Sequence, residues 1–88
     1  MEDEKIERIL STDLNNDKEV IKLIQEVGSD ILTGTFGNGE KFSLRIQKDV
    51  GLTIATYQDN GWIRINNYEL VKDDFNDIVL ERSESYEK

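Results

Sequence analysis

Cysteine, histidine and proline are all absent from this sequence. Without cysteine there are no disulfides, thiolate metal ligands or cysteine nucleophiles. Without histidine the chain lacks the usual general base near neutral pH and the commonest metal ligand. Its first four residues, Met1 to Glu4, are acidic where a secretory signal is basic, and no stretch approaches the roughly 18 apolar residues of a membrane span. We therefore expect a cytoplasmic protein that is not an enzyme and that holds no metal or cofactor.

Negative charge is concentrated at the two ends of the chain. Residues 1–30 contain nine acidic and four basic residues, and residues 66–88 contain seven and three. The middle, residues 31–65, contains three acidic and four basic residues, and the whole chain has a net charge of −8. A field of that sign attracts basic surfaces and repels nucleic acids and anionic membranes. The charge therefore predicts a basic partner, with no direct binding of nucleic acid or membrane.

Length and composition predict one small domain over residues 1–88. With 88 residues, of which 36% are hydrophobic, the chain can bury a single core. The apolar residues are spread along the sequence, which argues against intrinsic disorder. We expect helices within residues 1–28, an antiparallel sheet within residues 30–82 and a frayed tail at residues 83–88.

Two segments in the first third of the chain have apolar residues at helical spacing. The first predicts a helix over residues 4–12 with Asp3 as its N-cap, and the second predicts a helix that begins after Asn16 and stops at Gly28. Glu19, three residues after Asn16, completes a capping pair. Apolar residues recur at spacings of three and four in both segments: Ile6, Ile9, Leu10 and Leu14, then Val20, Leu23, Ile24 and Val27.

Beyond the second helix the spacing of apolar residues changes to two, which indicates strands. Phe42, Leu44 and Ile46 alternate with polar residues, as on a half-buried antiparallel strand. Its partner is expected at residues 31–36, because Gly37-Asn38-Gly39 between them favours a tight hairpin.

A second hairpin is predicted between residues 52 and 66. Leu52–Tyr57 and Trp62–Asn66 are rich in strand-forming residues and flank Asp59-Asn60-Gly61, whose Asn-Gly pair is typical of hairpin turns. The fold class that follows is α+β, with one or two N-terminal helices packed on a four- to five-stranded antiparallel β meander.

The C-terminal segment carries two competing patterns. Ile78-Val79-Leu80 favours a short strand, since β-branched residues suit a pleated surface. A helix is the alternative, and Glu84 and Glu87 oppose it because they would face the negative end of its dipole. The helix would place one set of residues on a single face: Phe75, Ile78, Val79, Arg82 and Tyr86.

Acidic side chains recur through the same segment and form the main candidate binding site. Alternate side chains on a strand are about 6.6 Å apart, and neighbours four apart on a helix about 5–6 Å, both comparable with the phosphate spacing of nucleic acid. A row of carboxylates can therefore occupy a basic groove, although charges on an edge strand also simply prevent aggregation. The candidate residues are Asp73, Asp74, Asp77, Glu81, Glu84 and Glu87.

Trp62 and Tyr57 form a second candidate site. Trp62 is the only tryptophan, and it follows a tight turn with Tyr57 nearby in sequence. Such a residue most often packs in the core, here against the helices, but on an open sheet it anchors protein interfaces. Arg45 and Arg64 are expected on the polar faces of their strands.

The segment Gly51–Tyr68, GLTIATYQDNGWIRINNY, resembles in its strand, turn and strand layout small proteins of phages and mobile elements of Gram-positive bacteria. In size, acidity and lack of catalytic residues the whole chain is similar to phage-encoded anti-CRISPR and anti-restriction proteins. That resemblance implies inhibition of a nuclease in the bacterial host cell by occupation of its DNA-binding groove, and it assigns no individual binding residue.

Three hypotheses of function remain open at this point. The first is a non-enzymatic acidic protein that blocks the basic groove of a CRISPR effector or restriction nuclease. The second is an interaction module, of the immunity or regulatory-subunit type, that binds its partner through the apolar and aromatic face of the sheet. The third is a small nucleic-acid-binding barrel, which the negative charge opposes.

Overall fold

The computed structural model describes residues 2–88, with side chains from Glu4 onward. Two helices come first and five strands follow, which form one sheet in the order β1-β2-β3-β4-β5 with every neighbouring pair antiparallel. The fold is therefore the α+β meander that the sequence predicts. The elements are α1 (Glu2–Leu10), α2 (Asp17–Val27), β1 (Asp30–Thr35), β2 (Lys41–Gln47), β3 (Gly51–Tyr57), β4 (Ile63–Lys72) and β5 (Ile78–Glu87).

Helix α2 begins and ends where its caps predict. The Asn16 side chain accepts hydrogen bonds from the backbone N–H groups of Lys18 and Glu19, at 3.1 and 3.3 Å. The Glu19 carboxylate accepts from the backbone N–H of Asp13 at 3.3 Å, so it ties down the loop before the cap. At the other end Gly28 has φ +79°, a conformation that glycine adopts without strain.

Helix α1 ends at Leu10, two residues before the predicted end. The Thr12 hydroxyl donates to the backbone carbonyl of Arg8 at 2.8 Å and accepts from the Arg8 guanidinium at 2.7 Å. A side chain that satisfies a helical carbonyl in this way competes with continuation of the helix. The helix begins at Glu2, two residues before the predicted start, so Asp3 lies within it and the prediction of Asp3 as the N-cap is wrong.

The core lies between the two helices and one face of the sheet, here called the helix side. Phe42 at its centre lies over Gly34 of β1, where an added Cβ would come 2.7 Å from the Phe42 ring. The absence of a side chain at Gly34 therefore makes room for the largest fully buried residue. The buried apolar residues are Ile9, Val20, Leu23, Ile24, Leu32, Phe42, Leu44, Ile46, Leu52, Ile54 and Tyr68.

Both predicted hairpins form, with glycines in the left-handed region. Gly39 has φ +90° in the β1–β2 connection, and Gly61 has φ +87° in the β3–β4 connection. Gly51 has a different role at the start of β3. A Cβ added there would overlap the backbone carbonyl of Tyr68, so only glycine allows β3 and β4 to approach so closely.

The last two strands are longer than predicted. β4 continues to Lys72, and the strand predicted over residues 78–80 is a ten-residue β5 that reaches Glu87. The frayed tail expected at residues 83–88 is therefore wrong as far as Glu87, because residues 83–87 pair with residues 63–67 of β4. The helical alternative for this segment is excluded in the same way. The segment is only weakly apolar by itself. It forms a strand because β4 supplies an antiparallel partner and a full ladder of hydrogen bonds.

The sheet has an outer face that no described element covers. Alternation along β4 and the register with β3 and β5 place Ile63, Ile65, Glu69 and Val71 on it. Arg45 of β2 also lies on the outer face, as expected. Arg64 shares a face of β4 with the polar Asn66, but that face is the helix side, because its partner Thr56 is buried there.

Candidate functional site: the C-terminal hairpin

The C-terminal hairpin, made of β4, β5 and their turn, projects beyond the rest of the sheet. β3 pairs with β4 only as far as Glu69, whereas β4 pairs with β5 as far as Lys72. The hairpin tip, residues 71–79, therefore extends past the end of β3. The described part of the molecule measures 42 × 30 × 19 Å, and residues 72–79 of the hairpin are all exposed.

The turn at the tip is held by the carboxylate of Asp73. Asp73 Oδ1 accepts from the backbone N–H groups of Phe75 and Asp77, both at 2.9 Å. The backbone of Asp73 bonds to Asp77 and Asn76, each at 3.0 Å, and Asn76 has φ +64°. Asp and Asn suit such turns because their short side chains bond the local backbone. Asp73 thus positions the turn, while Asp74 and Asp77 present free carboxylates.

Phe75 is the most exposed large apolar residue, with 86% of its surface accessible. Ile78 and Val79 beside it are also exposed. An aromatic side chain held out on an ordered turn is the kind of residue that anchors protein interfaces, since it brings a large apolar area at low entropic cost. Sequence analysis missed Phe75 as a site residue. The available signal was a phenylalanine inside the otherwise polar turn Asp73–Asp77.

The six predicted acidic residues do not form one row. Asp73, Asp74 and Asp77 lie at the tip, Glu81 and Glu87 lie on the outer face, and Glu84 lies on the helix side. Ser83 and Ser85 separate the two outer glutamates. The structure therefore replaces the predicted row with a cluster of three at the tip and isolated carboxylates along β5.

Glu69 and Glu81 lie directly opposite each other across β4 and β5 on the outer face. Directly opposed side chains on antiparallel strands have Cβ atoms about 4.5–5.5 Å apart, and like charges there destabilise the pair. A cation supplied by a partner would relieve that repulsion. Glu69 was not among the predicted site residues, since its position opposite Glu81 depends on the register of the hairpin.

Trp62 and Tyr57 lie at the opposite end of β4 from the tip. Trp62 comes one residue before β4, and ten residues of strand separate it from Asp73, about 36 Å at the usual rise. The interpretation of Trp62 as core packed against the helices is wrong, because it is 39% exposed. Its ring lies 5.6 Å from Lys88 Nζ. Tyr57, also exposed, belongs to the outer face beside Ile63. The eight predicted residues therefore do not make one surface: three lie at the tip, Trp62 and Tyr57 lie at the other end of β4, and the glutamates of β5 are divided between the two faces.

Ion pairs neutralise acids of α2 and of the start of β1 but none of those in the C-terminal hairpin. The Lys5 Nζ bond to Asp30 at 2.6 Å, with a second bond from the Ile31 N–H, holds the pKa of Asp30 below its usual value. Among residues 4–88, no carboxylate of the hairpin takes part in an ion pair. The other ion pairs join Arg8 with Glu26, Lys22 with Glu26, and Arg82 with Asp17.

Glu84 accepts a hydrogen bond from the Tyr86 hydroxyl at 2.5 Å, which raises the pKa of Tyr86.

Within the described residues, no three acidic side chains come together as a metal site would require. Neither α1 nor α2 has the length and apolar composition needed to cross a membrane. Comparison of the chain with protein-family models, with curated proteins and with solved structures gives no match.

Proposed function

We propose that this chain is a non-enzymatic binding protein that inhibits a nucleic-acid-handling enzyme by inserting its C-terminal hairpin into a basic groove. The observation that carries the proposal is the projecting tip, where exposed Phe75 stands among Asp73, Asp74 and Asp77. Within that class, a CRISPR effector or a restriction nuclease in a bacterial host cell is the proposed target. Both hold DNA through basic channels that recognise its backbone.

The charge of the hairpin supports this choice of partner. Residues 66–88 carry seven acidic and three basic residues. Since none of those carboxylates is paired with a described cation, their field is directed at solvent and at an approaching surface. The opposed pair Glu69 and Glu81 adds local repulsion that lysine or arginine side chains of a partner would relieve.

The apolar part of the tip supports insertion over loose electrostatic contact. Phe75 can enter a pocket between the basic residues of the groove, while Asp74 and Asp77 pair with them at its rim. A desolvated aromatic anchor surrounded by polar contacts is the usual arrangement of an interface hot spot. Charge would then govern the association rate and its salt dependence, and Phe75 the dissociation rate.

A cleavage assay tests the proposal. Purified protein is added to guide-loaded CRISPR nucleases and to a panel of restriction nucleases, and DNA cleavage and DNA binding are measured at several salt concentrations. We expect at least one enzyme to lose both, with a protein affinity that falls steeply as salt rises. Loss of cleavage with DNA still bound, or affinity that does not change with salt, would contradict occupation of the groove.

Two pairs of variants separate the tip from overall charge. Asp74→Asn/Asp77→Asn removes two charges from the tip and keeps the carboxylate of Asp73 that holds the turn. Glu4→Gln/Glu7→Gln removes two exposed charges from α1 as the matched control. We expect the tip variant to weaken binding at least tenfold and the control to weaken it less than threefold. Phe75→Ala should increase the dissociation rate, whereas Ile31→Ala, at an exposed residue of β1, should not.

A second candidate function is an interaction module, of the immunity or regulatory-subunit type, that binds through the other end of the sheet. The observation in its favour is the exposure of Trp62 and Tyr57 next to the uncovered outer face. In that case Trp62→Ala would abolish binding to the partner without unfolding the domain. Neutralising Asp74 and Asp77 would then leave the affinity unchanged.

A further inference from the structure

A groove of about 490 Å³ lies on the helix side, between the α1–α2 loop and the strands β4 and β5. The helices pack over the apolar part of the sheet and leave this end of the hairpin uncovered by described residues. The lining is mostly polar, and a volume of this order is in the range of small-molecule sites. Besides Arg64, the groove is lined chiefly by Leu14, Asn15, Asn66, Tyr68, Arg82 and Glu84.

Arg64 has hydrogen-bond donors without partners in this groove. Its Nε is buried and makes no hydrogen bond, and its guanidinium forms no ion pair with any residue from 4 to 88. The chain contains 19 acidic residues, so an unpaired arginine here is not explained by a shortage of carboxylates. A buried N–H of a charged group without an acceptor is unfavourable, and such groups usually have a partner.

The other cation of the groove, Arg82, is already engaged by groups of the protein. Arg82 donates to the Asp17 carboxylate at 2.6 and 2.9 Å and to the Leu14 carbonyl at 2.7 Å. Glu84 accepts one bond from the Tyr86 hydroxyl and pairs with no described cation, so its carboxylate keeps its charge at the edge of the groove. Arg64 is the cation of the groove that no described group engages, and its Nη groups, unlike the buried Nε, are the donors that a ligand can reach.

We propose that this groove binds a small organic oxyanion, a phosphate or carboxylate of up to about the size of a mononucleotide, through the guanidinium of Arg64. A guanidinium presents parallel N–H groups that match the two oxygens of such a group. The side-chain amides of Asn15 and Asn66 supply further donors around the same space. This binding uses the opposite charge from the acidic tip and a different part of the hairpin, so it does not depend on the proposed inhibitory function.

Titration of the isotope-labelled protein with inorganic phosphate, AMP and succinate, followed by NMR, tests the proposal. We expect at least one of them to give saturable shifts at the Arg64 Nε–H and the Asn66 amide, with a dissociation constant below about 10 mM. Shifts with phosphate or AMP but not with succinate would identify the oxyanion as a phosphate. Shifts with succinate alone would identify it as a carboxylate. Absence of saturable shifts with all three probes would overturn the proposal.

Variants with matched charge changes show whether Arg64 is the ligand-binding residue. Arg64→Gln should weaken the affinity at least tenfold, while Arg45→Gln, which removes an exposed arginine on the outer face, should leave it unchanged. Equal effects of the two substitutions would overturn the proposal, since they would show only the loss of net positive charge. If Arg64→Gln does not fold, Arg64→Lys keeps the charge and loses the paired donors, and it should weaken binding by at least threefold.

Discussion

Arg82 and Asp17 are separated by 65 positions in the sequence, and Arg82 Nη2 lies 2.6 Å from Asp17 Oδ1. Arg82 also donates to the carbonyl of Leu14, and its guanidinium lies 5.1 Å from the centroid of the Tyr68 ring. One side chain thus joins β5 to the loop before α2 and to the beginning of that helix. The contact fixes where the C-terminal hairpin sits against the helices.

Arg82→Ala should lower the free energy of unfolding by about 1–2 kcal/mol, because it removes bonds to a carboxylate and a carbonyl together with the contact to Tyr68. Arg45→Ala, at an exposed position on the outer face, should change it by less than about 0.5 kcal/mol. Urea unfolding of both variants measures the difference. A loss at position 82 no larger than that at position 45 would show that the Arg82 contacts do not stabilise the fold.

Gly51→Ala should be among the most damaging single substitutions, costing about 2–4 kcal/mol of unfolding free energy. The added Cβ would overlap the carbonyl of Tyr68, and backbone cannot move aside as the end of a side chain can. Gly37→Ala is the matched control, since nothing lies within 4 Å of a Cβ there. Thermal unfolding should show a clear drop for position 51 and little change for position 37. Similar melting temperatures for the two variants would contradict the close approach of β3 and β4.

The ion pair of Asp30 with Lys5 should make stability depend on pH in the acid range. The pKa of Asp30 is lowered in the folded state, so its stabilisation is complete above the unfolded pKa of about 3.9 and is lost as pH falls through the lower folded pKa. Asp30→Asn should therefore be less stable than the parent protein at pH 7 and nearly equal to it in strong acid.

Lys5→Gln removes the other partner and should show the same convergence with the parent protein as pH falls. Urea midpoints measured from pH 7 to about pH 2 give both comparisons. A stability difference for Asp30→Asn that stays constant over this range would mean that the carboxylate charge is not what Lys5 stabilises.

Truncation should lower the free energy of unfolding strongly at Phe42 and hardly at all at Phe75. Phe42 is 1% exposed, and Phe42→Ala should cost about 3–5 kcal/mol through lost burial and the cavity left behind. Phe75 is 86% exposed, and Phe75→Ala should change stability by less than about 0.5 kcal/mol. If Phe42→Ala does not fold, the milder Phe42→Leu provides the comparison. A large loss of stability for Phe75→Ala would show that the tip packs on a surface of the protein.

Features fixed by neighbouring residues were predictable from the sequence. Asn16 and Gly28 mark both ends of α2, because caps act within a turn of the helix. Gly39 and Gly61 mark two hairpins, since only a few residue types adopt their backbone conformation readily. These local signals were enough to give the α+β meander.

Features fixed by a distant partner were not predictable in the same way. The length of β5 depends on its hydrogen-bond ladder with β4, and residues 83–87 by themselves do not predict that pairing. The single row of carboxylates failed for a reason visible in the sequence. Glu81, Glu84 and Glu87 are spaced by three, and on a strand that spacing sends them alternately to opposite faces. A strand and an unbroken row were therefore incompatible predictions.

Arg64 shows how register decides a site. Its pattern of neighbours placed it on a polar face, but pairing with buried Thr56 turns it to the helix side. A shift of one residue in that pairing would have reversed every side chain of β4. Exposure of Phe75 likewise follows from the extension of the hairpin past β3, which depends on where the shorter strand ends.

The order of the strands also bears on how the chain folds. Each strand pairs with the next one along the sequence, so every rung of the sheet forms by closing a short loop. Loops of this length close quickly and at low entropic cost, and topologies built from them fold faster than those that pair distant segments. The contact of Arg82 with Asp17 forms later, because it joins residues 65 positions apart. A polypeptide emerging from the ribosome can therefore build its sheet hairpin by hairpin, and it gains the bond between its two acidic ends only after residue 82 is released.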